Sequence, residues 1–171
     1  MELVRRCENW LSGRVHLEKG SGVIKQEDLS SLLVGTGIER VGRTVDMGDF
    51  QFLGPTGSRV ALHIQCPFRM VRGDIIILGS QDMLRQKGDK FDPFLAADSL
   101  YDSRSRRLNE KFAERCPVVV GVDLQPGGFL TVHLEGGAAI EAVPDSSRDE
   151  EAWRVFARGS DLHHVYPAAP S

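Results

Sequence analysis

The sequence predicts an α+β fold of antiparallel β-meanders, with about ten short strands and about three helices. Three observations support this prediction. Short apolar runs alternate with polar residues at a period of two, turns rich in glycine and proline separate these runs, and three stretches have helical apolar spacing. The length of 171 residues predicts a single compact domain over residues 1–171.

The three predicted helices are recognised by apolar side chains three or four residues apart. The first spans residues 3–11 and ends before Gly13, and the second spans residues 26–34 and stops at Gly35. The third spans residues 101–114, with its end fixed by a following proline.

Between and after these helices, alternating apolar residues and turn signals predict the strands. The clearest alternation places Val60, Leu62 and Ile64 on one face. Pro67 limits ladder pairing and marks a bend or an edge. The predicted strands are 38–46, 49–53, 59–66, 69–71, 75–78, 117–124, 129–134, 138–143, 153–157 and 162–166.

The second half of the chain repeats a pattern of the first half. An aromatic-Arg strand, an Arg-Gly turn carrying an Asp and another strand occur at residues 68–78 and again at 153–166, 85 residues later. Val41-Gly42 aligns with Val120-Gly121 at an offset of 79. The pattern predicts a pseudo-duplicated unit whose two meanders form either one continuous sheet or two layers.

The predicted structural halves are residues 26–79 and 101–166, joined by loop 80–100. A loop of this length within a compact domain is uncommon and is often functional. A cleft between related halves is a common place for a ligand.

The charge pattern favours a protein partner of basic character. The net charge of −3 argues against a nucleic-acid binder. From Cys116 onward, eight Asp and Glu face three Arg and no Lys, so this third is acidic by five charges and would attract a cationic protein. The residues expected to meet it are Asp145, Asp149, Glu150 and Glu151.

Neither the cysteines nor the histidines have the spacing of a metal or redox motif, so no metal and no cofactor is expected. No apolar run reaches the roughly 20 residues of a membrane span, so no membrane partner is expected.

A cytoplasmic location is predicted because the N-terminal residues lack the order of a signal peptide. Arg outnumbers Lys 16 to 5, which indicates a GC-rich bacterial genome.

Arg69 and Arg154 follow the aromatic residues of the repeated pattern and are the candidate ligand-binding pair. A guanidinium on a strand can hold a carboxylate or phosphate in a forked hydrogen bond. If the two positions are equivalent, both groups could face one cleft. The alternative is that each Arg pairs with a neighbouring Asp, such as Asp74 or Asp161, within its own hairpin.

The segments 62–82 and 128–166 resemble a diffuse group of small bacterial proteins of unknown function. These carry an aromatic-Arg strand, a Gly-Ser-any-Asp step (residues 79–82) and a late Trp-Arg strand. Some of them resemble immunity proteins, which block a neighbouring toxin. The resemblance implies a binding role and brings no catalytic residue.

Three functions follow as hypotheses, and no catalytic residue is identified for any of them. The favoured one is a non-catalytic, immunity-like protein that binds a basic partner. The second is a binding protein or enzyme for a small anionic ligand, held in a cleft between the halves by Arg69 and Arg154. The third is a homo-oligomeric assembly subunit that uses exposed sheet edges.

Overall fold

The computed structural model describes residues 24–85 and 99–168, which form an α+β fold of two antiparallel sheets and two helices. The helices are α1 (Gln26–Leu33) and α2 (Leu100–Glu114). The predicted helix over residues 3–11 and most of loop 80–100 lie outside the described residues. Of that loop, Ser80–Leu84 forms a 3₁₀ turn.

The ten predicted strands are present, and each strand end lies within two residues of its predicted position. Alternation and turn chemistry are local signals, which is why single-sequence reasoning located them. The strands are β1 (Gly37–Thr44), β2 (Met47–Leu53), β3 (Arg59–Ile64), β4 (Phe68–Arg72), β5 (Ile75–Gly79), β6 (Val119–Leu124), β7 (Leu130–Leu134), β8 (Ala138–Ala142), β9 (Trp153–Ala157) and β10 (His163–Tyr166).

Each sheet combines a three-stranded meander from one half with a hairpin from the other. The first sheet has the order β1-β2-β3-β9-β10, and the second has the order β5-β4-β8-β7-β6. The chain leaves the first sheet after β3 at Pro67, which has no N–H to donate to a ladder. It returns after β8, so the hairpins β4-β5 and β9-β10 are exchanged between the meanders.

The inner faces of the two sheets share one apolar core. The rings of Phe50 on β2 and Phe68 on β4 meet edge to face, with centroids 5.6 Å apart. Tyr101 of α2 packs on Phe68, and its hydroxyl donates to the Gly42 carbonyl at 2.9 Å. Trp153 on β9 is completely buried. Each such aromatic contributes about 2 kcal/mol or more by burial alone, so the core ties both sheets and α2 together.

Reciprocal backbone hydrogen bonds join the starts of β1 and β6. The Ile38 N–H donates to the Pro117 carbonyl at 3.0 Å, and the Val119 N–H donates to the Thr36 carbonyl at 2.8 Å. The two donor residues are 81 positions apart in sequence, and so are the two acceptor residues. This pair links the two meanders directly at the beginnings of their first strands.

The two crossovers between the sheets are joined in the same reciprocal way. The Gln65 N–H donates to the Ala152 carbonyl at 2.7 Å, and the Val143 N–H donates to the Pro67 carbonyl at 2.8 Å. The first crossover uses residues 65–67 and the second uses residues 143–152. Two segments distant in sequence thus lie side by side at one end of the molecule.

Each of the two meanders has an irregularity in its first strand. The pairing is interrupted at Glu39 in β1 and at Val120 in β6. Val41 and Val122 therefore each lie two residues beyond the irregularity of their strand.

Each helix covers the free edge of the other half's meander. On β1, the Asn109 side chain of α2 accepts from the Val41 N–H at 2.8 Å and donates to the Val41 carbonyl at 2.9 Å. On β6, the side-chain Oε1 of Gln26 on α1 accepts from the Leu124 N–H at 3.1 Å. These contacts satisfy edge groups that would otherwise be open to another strand.

The Arg43–Asp102 ion pair fixes α2 to β1. The guanidinium of Arg43 donates twice to the Asp102 carboxylate, at 2.8 and 2.7 Å, and both side chains are about one quarter exposed. These bonds hold the pKa of the Asp102 carboxyl at about 2. Because the pKa is depressed on folding, the stabilisation is complete above the unfolded pKa and is lost as the pH falls through the folded one.

We expect Asp102→Asn to lower the free energy of unfolding at neutral pH by about 2 kcal/mol. The difference from the parent protein should shrink as the pH falls from about 4 to about 2, because the parent carboxylate becomes protonated there. Urea unfolding at a series of pH values measures both effects. Asp46→Asn, in the exposed β1–β2 turn, is the control and should change little. A difference that stays constant with pH would contradict the role given to the ion pair.

Candidate functional site

The four carboxylates selected from the sequence surround one cavity of 450 Å³, which we call the acidic cavity. It lies where the two crossovers run side by side. Its walls are residues 65–67 of the first crossover, residues 144–152 of the second, and Tyr166-Pro167 at the end of β10. The residues predicted to bind a protein are thus brought together: Asp145, Asp149, Glu150 and Glu151.

Three of these carboxylates are exposed, and the fourth is held by neighbouring side chains. Asp145 and Asp149 form no ion pair with any residue in the described ranges, and Glu150 meets exposed Arg148 at 3.2 Å. Glu151 is half-buried and binds Arg154 through both oxygens. The cavity therefore keeps an excess of negative charge at its mouth.

Cys66 lines the acidic cavity but is a poor nucleophile. Burial raises the pKa of its thiol to about 11, and the nearby charge of Asp145 acts in the same direction. The pKa of the Cys116 thiol is also raised by burial and by Glu39. Since the thiolate is the reactive form, neither cysteine is prepared for covalent catalysis at neutral pH.

Arg69 and Arg154 lie on different sheets and do not line a common cavity among the described residues. Each follows a buried aromatic residue on its strand, so its side chain points away from the shared core. Arg69 donates to Glu141 across the β4–β8 pair at 2.5 Å, whereas Arg154 binds Glu151. Each guanidinium thus has a glutamate partner, instead of the neighbouring Asp considered above.

Arg154 is part of a polar row on the outer face of the first sheet. It lies opposite His63, which lies opposite Asp49 on β2. The His63 Nε2 is 3.6 Å from the Asp49 carboxylate. Burial alone would raise the pKa of Asp49, but the nearby imidazole of His63 and the hydrogen bond from Gln51 lower it. Within the ranges 24–85 and 99–168, no group of three or more His, Cys, Asp or Glu is placed to hold a metal ion.

A second concavity, beside α2, was missed by the sequence reasoning. It measures 430 Å³ and lies between α2 and the second sheet. We call it the basic-rimmed groove. The available signal was a stripe of basic residues along α2 and directly after it, next to Leu108 and Phe112 on the buried side of this helix. The basic residues are Arg104, Arg107, Lys111 and Arg115.

Comparison with known protein families, with curated proteins and with solved structures finds no match to this chain. In the described part of the chain, neither helix has the length and apolar character needed to cross a membrane.

The geometry of the acidic cavity predicts a thiol that resists alkylation. In a chain in which Cys66 is the one remaining cysteine (Cys7→Ser, Cys116→Ser), the rate of iodoacetamide reaction should rise with a midpoint near pH 11. An ordinary cysteine has its midpoint near about 8.5. Mass spectrometry of the labelled peptide measures the rate, with glutathione as the reference. A midpoint below about 9 would show that the cavity is open to water at the sulfur.

Proposed function

We propose that this chain is a non-catalytic binding protein whose acidic cavity receives a basic segment of a partner protein, in an immunity-like role. One observation carries the proposal: the four carboxylates selected from the sequence line a single concavity. Complementary charge accelerates encounter and rejects partners of the wrong sign. The shielded thiol in the wall is consistent with binding rather than covalent chemistry.

We infer in addition that residues 26–79 and 101–166 are two copies of one structural unit. Each begins with a helix that is followed by five strands: α1 and β1 to β5 in the first, and α2 and β6 to β10 in the second. Each passes its last hairpin to the other's sheet. The reciprocal hydrogen bonds at the strand starts and at the crossovers support the same relation.

The comparison of the two crossovers supports a functional role for the acidic segment. The first crossover moves the chain between the sheets in three residues, while the second uses ten for the same step. Val143 and Ala152 make the contacts equivalent to those of Gln65 and Pro67. Residues 144–151 therefore occupy the place of one residue, and all four carboxylates lie within them. Added loop residues that the fold does not require are available for recognition.

The charge proposal is tested by reversing the two carboxylates that lack an ion pair in the described ranges. We expect Asp145→Lys with Asp149→Lys to weaken binding of a basic protein by roughly tenfold or more, about 1.4 kcal/mol or more. The matched control is Asp46→Lys with Asp74→Lys, which makes the same change in net charge in the exposed β1–β2 and β4–β5 turns.

Isothermal titration with purified decalysine peptide, and with basic proteins encoded beside this chain, gives the affinity. The control should bind as the parent does, and both variants should retain the parent melting temperature. Equal losses in variant and control would mean that net charge alone matters. An unchanged affinity for a confirmed partner would reject the acidic cavity as the binding site.

The equivalence of the crossovers is tested by shortening the longer one. Replacing residues 144–151 with a single serine keeps Val143 and Ala152 and leaves three residues, as in the first crossover. We expect the variant to keep its sheet circular dichroism and cooperative unfolding, because loop length affects closure by only about 1 kcal/mol. Binding of the basic partner should be lost.

The matched variant replaces the same eight residues with an eight-residue glycine-serine segment. It should also fold and should also fail to bind. If the shortened chain unfolds while the glycine-serine chain folds, the second crossover needs its length and the two units are not equivalent. If the glycine-serine chain still binds, the carboxylates are not the recognition element.

A further inference from the structure

The basic-rimmed groove is independent of the acidic cavity and has the opposite charge. It lies between α2 and the ends of β4, β7 and β8, where the inner face of the second sheet is incompletely covered. Its volume of 430 Å³ falls within the range of about 300–1,000 Å³ that is usual for small-ligand sites.

The floor of the groove is apolar and continuous with the core. Met70 on β4, Phe112 on α2 and Leu134 on β7 are buried core residues that also line the groove. Leu108 and Ile77 are half-buried beside them. A ligand placed here would bury its own apolar surface against this floor, which stabilises binding by roughly 25 cal/mol for each Å² buried.

The rim carries five cationic side chains against two carboxylates, although the whole chain has a net charge of −3. Arg104 pairs with Asp82 at 2.9 Å. The other four cations make no ion pair with any residue in the described ranges: Arg72, Arg107, Lys111 and Arg115. Of the carboxylates, Glu135 accepts from the Val118 N–H at 3.4 Å, and Glu114 is exposed.

The cations converge from two different elements. Arg107 and Lys111 stand one turn apart on α2, and Arg72 ends β4 on the other wall. Cations are favoured near the C-terminus of a helix, which accounts for basic residues near the end of α2, such as Arg115. This preference does not account for Arg72 or Arg107. Like charges gathered around an apolar concavity repel one another, and a bound anion removes that repulsion.

We propose that the basic-rimmed groove binds a small amphipathic organic anion, with its apolar body on Met70, Phe112 and Leu134 and its acid group on Arg72, Arg107 and Lys111. A concave site of this volume fits a single small molecule, whereas a membrane surface would require an extended, convex patch. The acid group is a carboxylate or sulfonate, for which guanidinium groups provide paired donors.

The test uses two dyes of nearly the same shape on the full chain. The anionic dye is 1-anilinonaphthalene-8-sulfonate, and N-phenyl-1-naphthylamine is its neutral counterpart without the sulfonate. We expect one saturable site for the anionic dye and at least tenfold weaker binding of the neutral one. Arg107→Gln with Lys111→Gln should lower the affinity for the anionic dye tenfold or more and leave the affinity for the neutral dye unchanged.

The control variant is Lys25→Gln with Arg40→Gln, which removes two exposed cations outside the groove and should bind both dyes as the parent does. Ala138→Leu places a larger side chain in the groove and should lower the affinity for both dyes. Monomeric decanoate should displace the anionic dye, and decanol should not. The proposal is overturned if both dyes bind equally well, if the control loses as much affinity as the groove variant, or if decanol competes as well as decanoate.

Discussion

The exchange of hairpins between the two meanders is the constraint on which the rest of this structure depends. Neither meander is complete by itself, since β3 finds its outer neighbour in β9 and β8 finds its outer neighbour in β4. The side chains buried by one half are therefore covered by strands of the other. Pairings between residues so far apart in sequence form only when most of the chain is in place, which makes folding cooperative and slow for its size.

This exchange also creates the places where function can reside. It brings the two crossovers side by side and fixes them with reciprocal hydrogen bonds, so the longer crossover forms a cavity against the shorter one. It places α2 across the strand ends of the second sheet, where the cover is incomplete and the groove opens. Strands and a helix wall the groove, whereas the loops that wall the acidic cavity are fixed to each other by backbone hydrogen bonds.

The elements were predictable from sequence, but their assembly was not. Strand positions follow from alternation and turns, which are local, and Trp153–Ala157 was predicted to the residue. The alternating pattern of β9 would fit a place beside either β3 or β8. No local sequence signal therefore predicted the exchange of hairpins. Asp145 and Asp149 were recognised by charge, but the cavity also needs Gln65, which is at least 80 residues away in sequence. The groove escaped notice because its far wall includes Arg72, a residue of the other half.

The two concavities lie at opposite ends of the same strands. β4 begins beside the acidic crossover and ends at Arg72 in the groove, and β8 runs the reverse way. Four residue steps of an extended strand separate them, roughly 13 Å. Charge of opposite sign is therefore concentrated at the two ends of these strands. Each of the two proposed ligands would be attracted to the end of opposite charge, so the two need not compete.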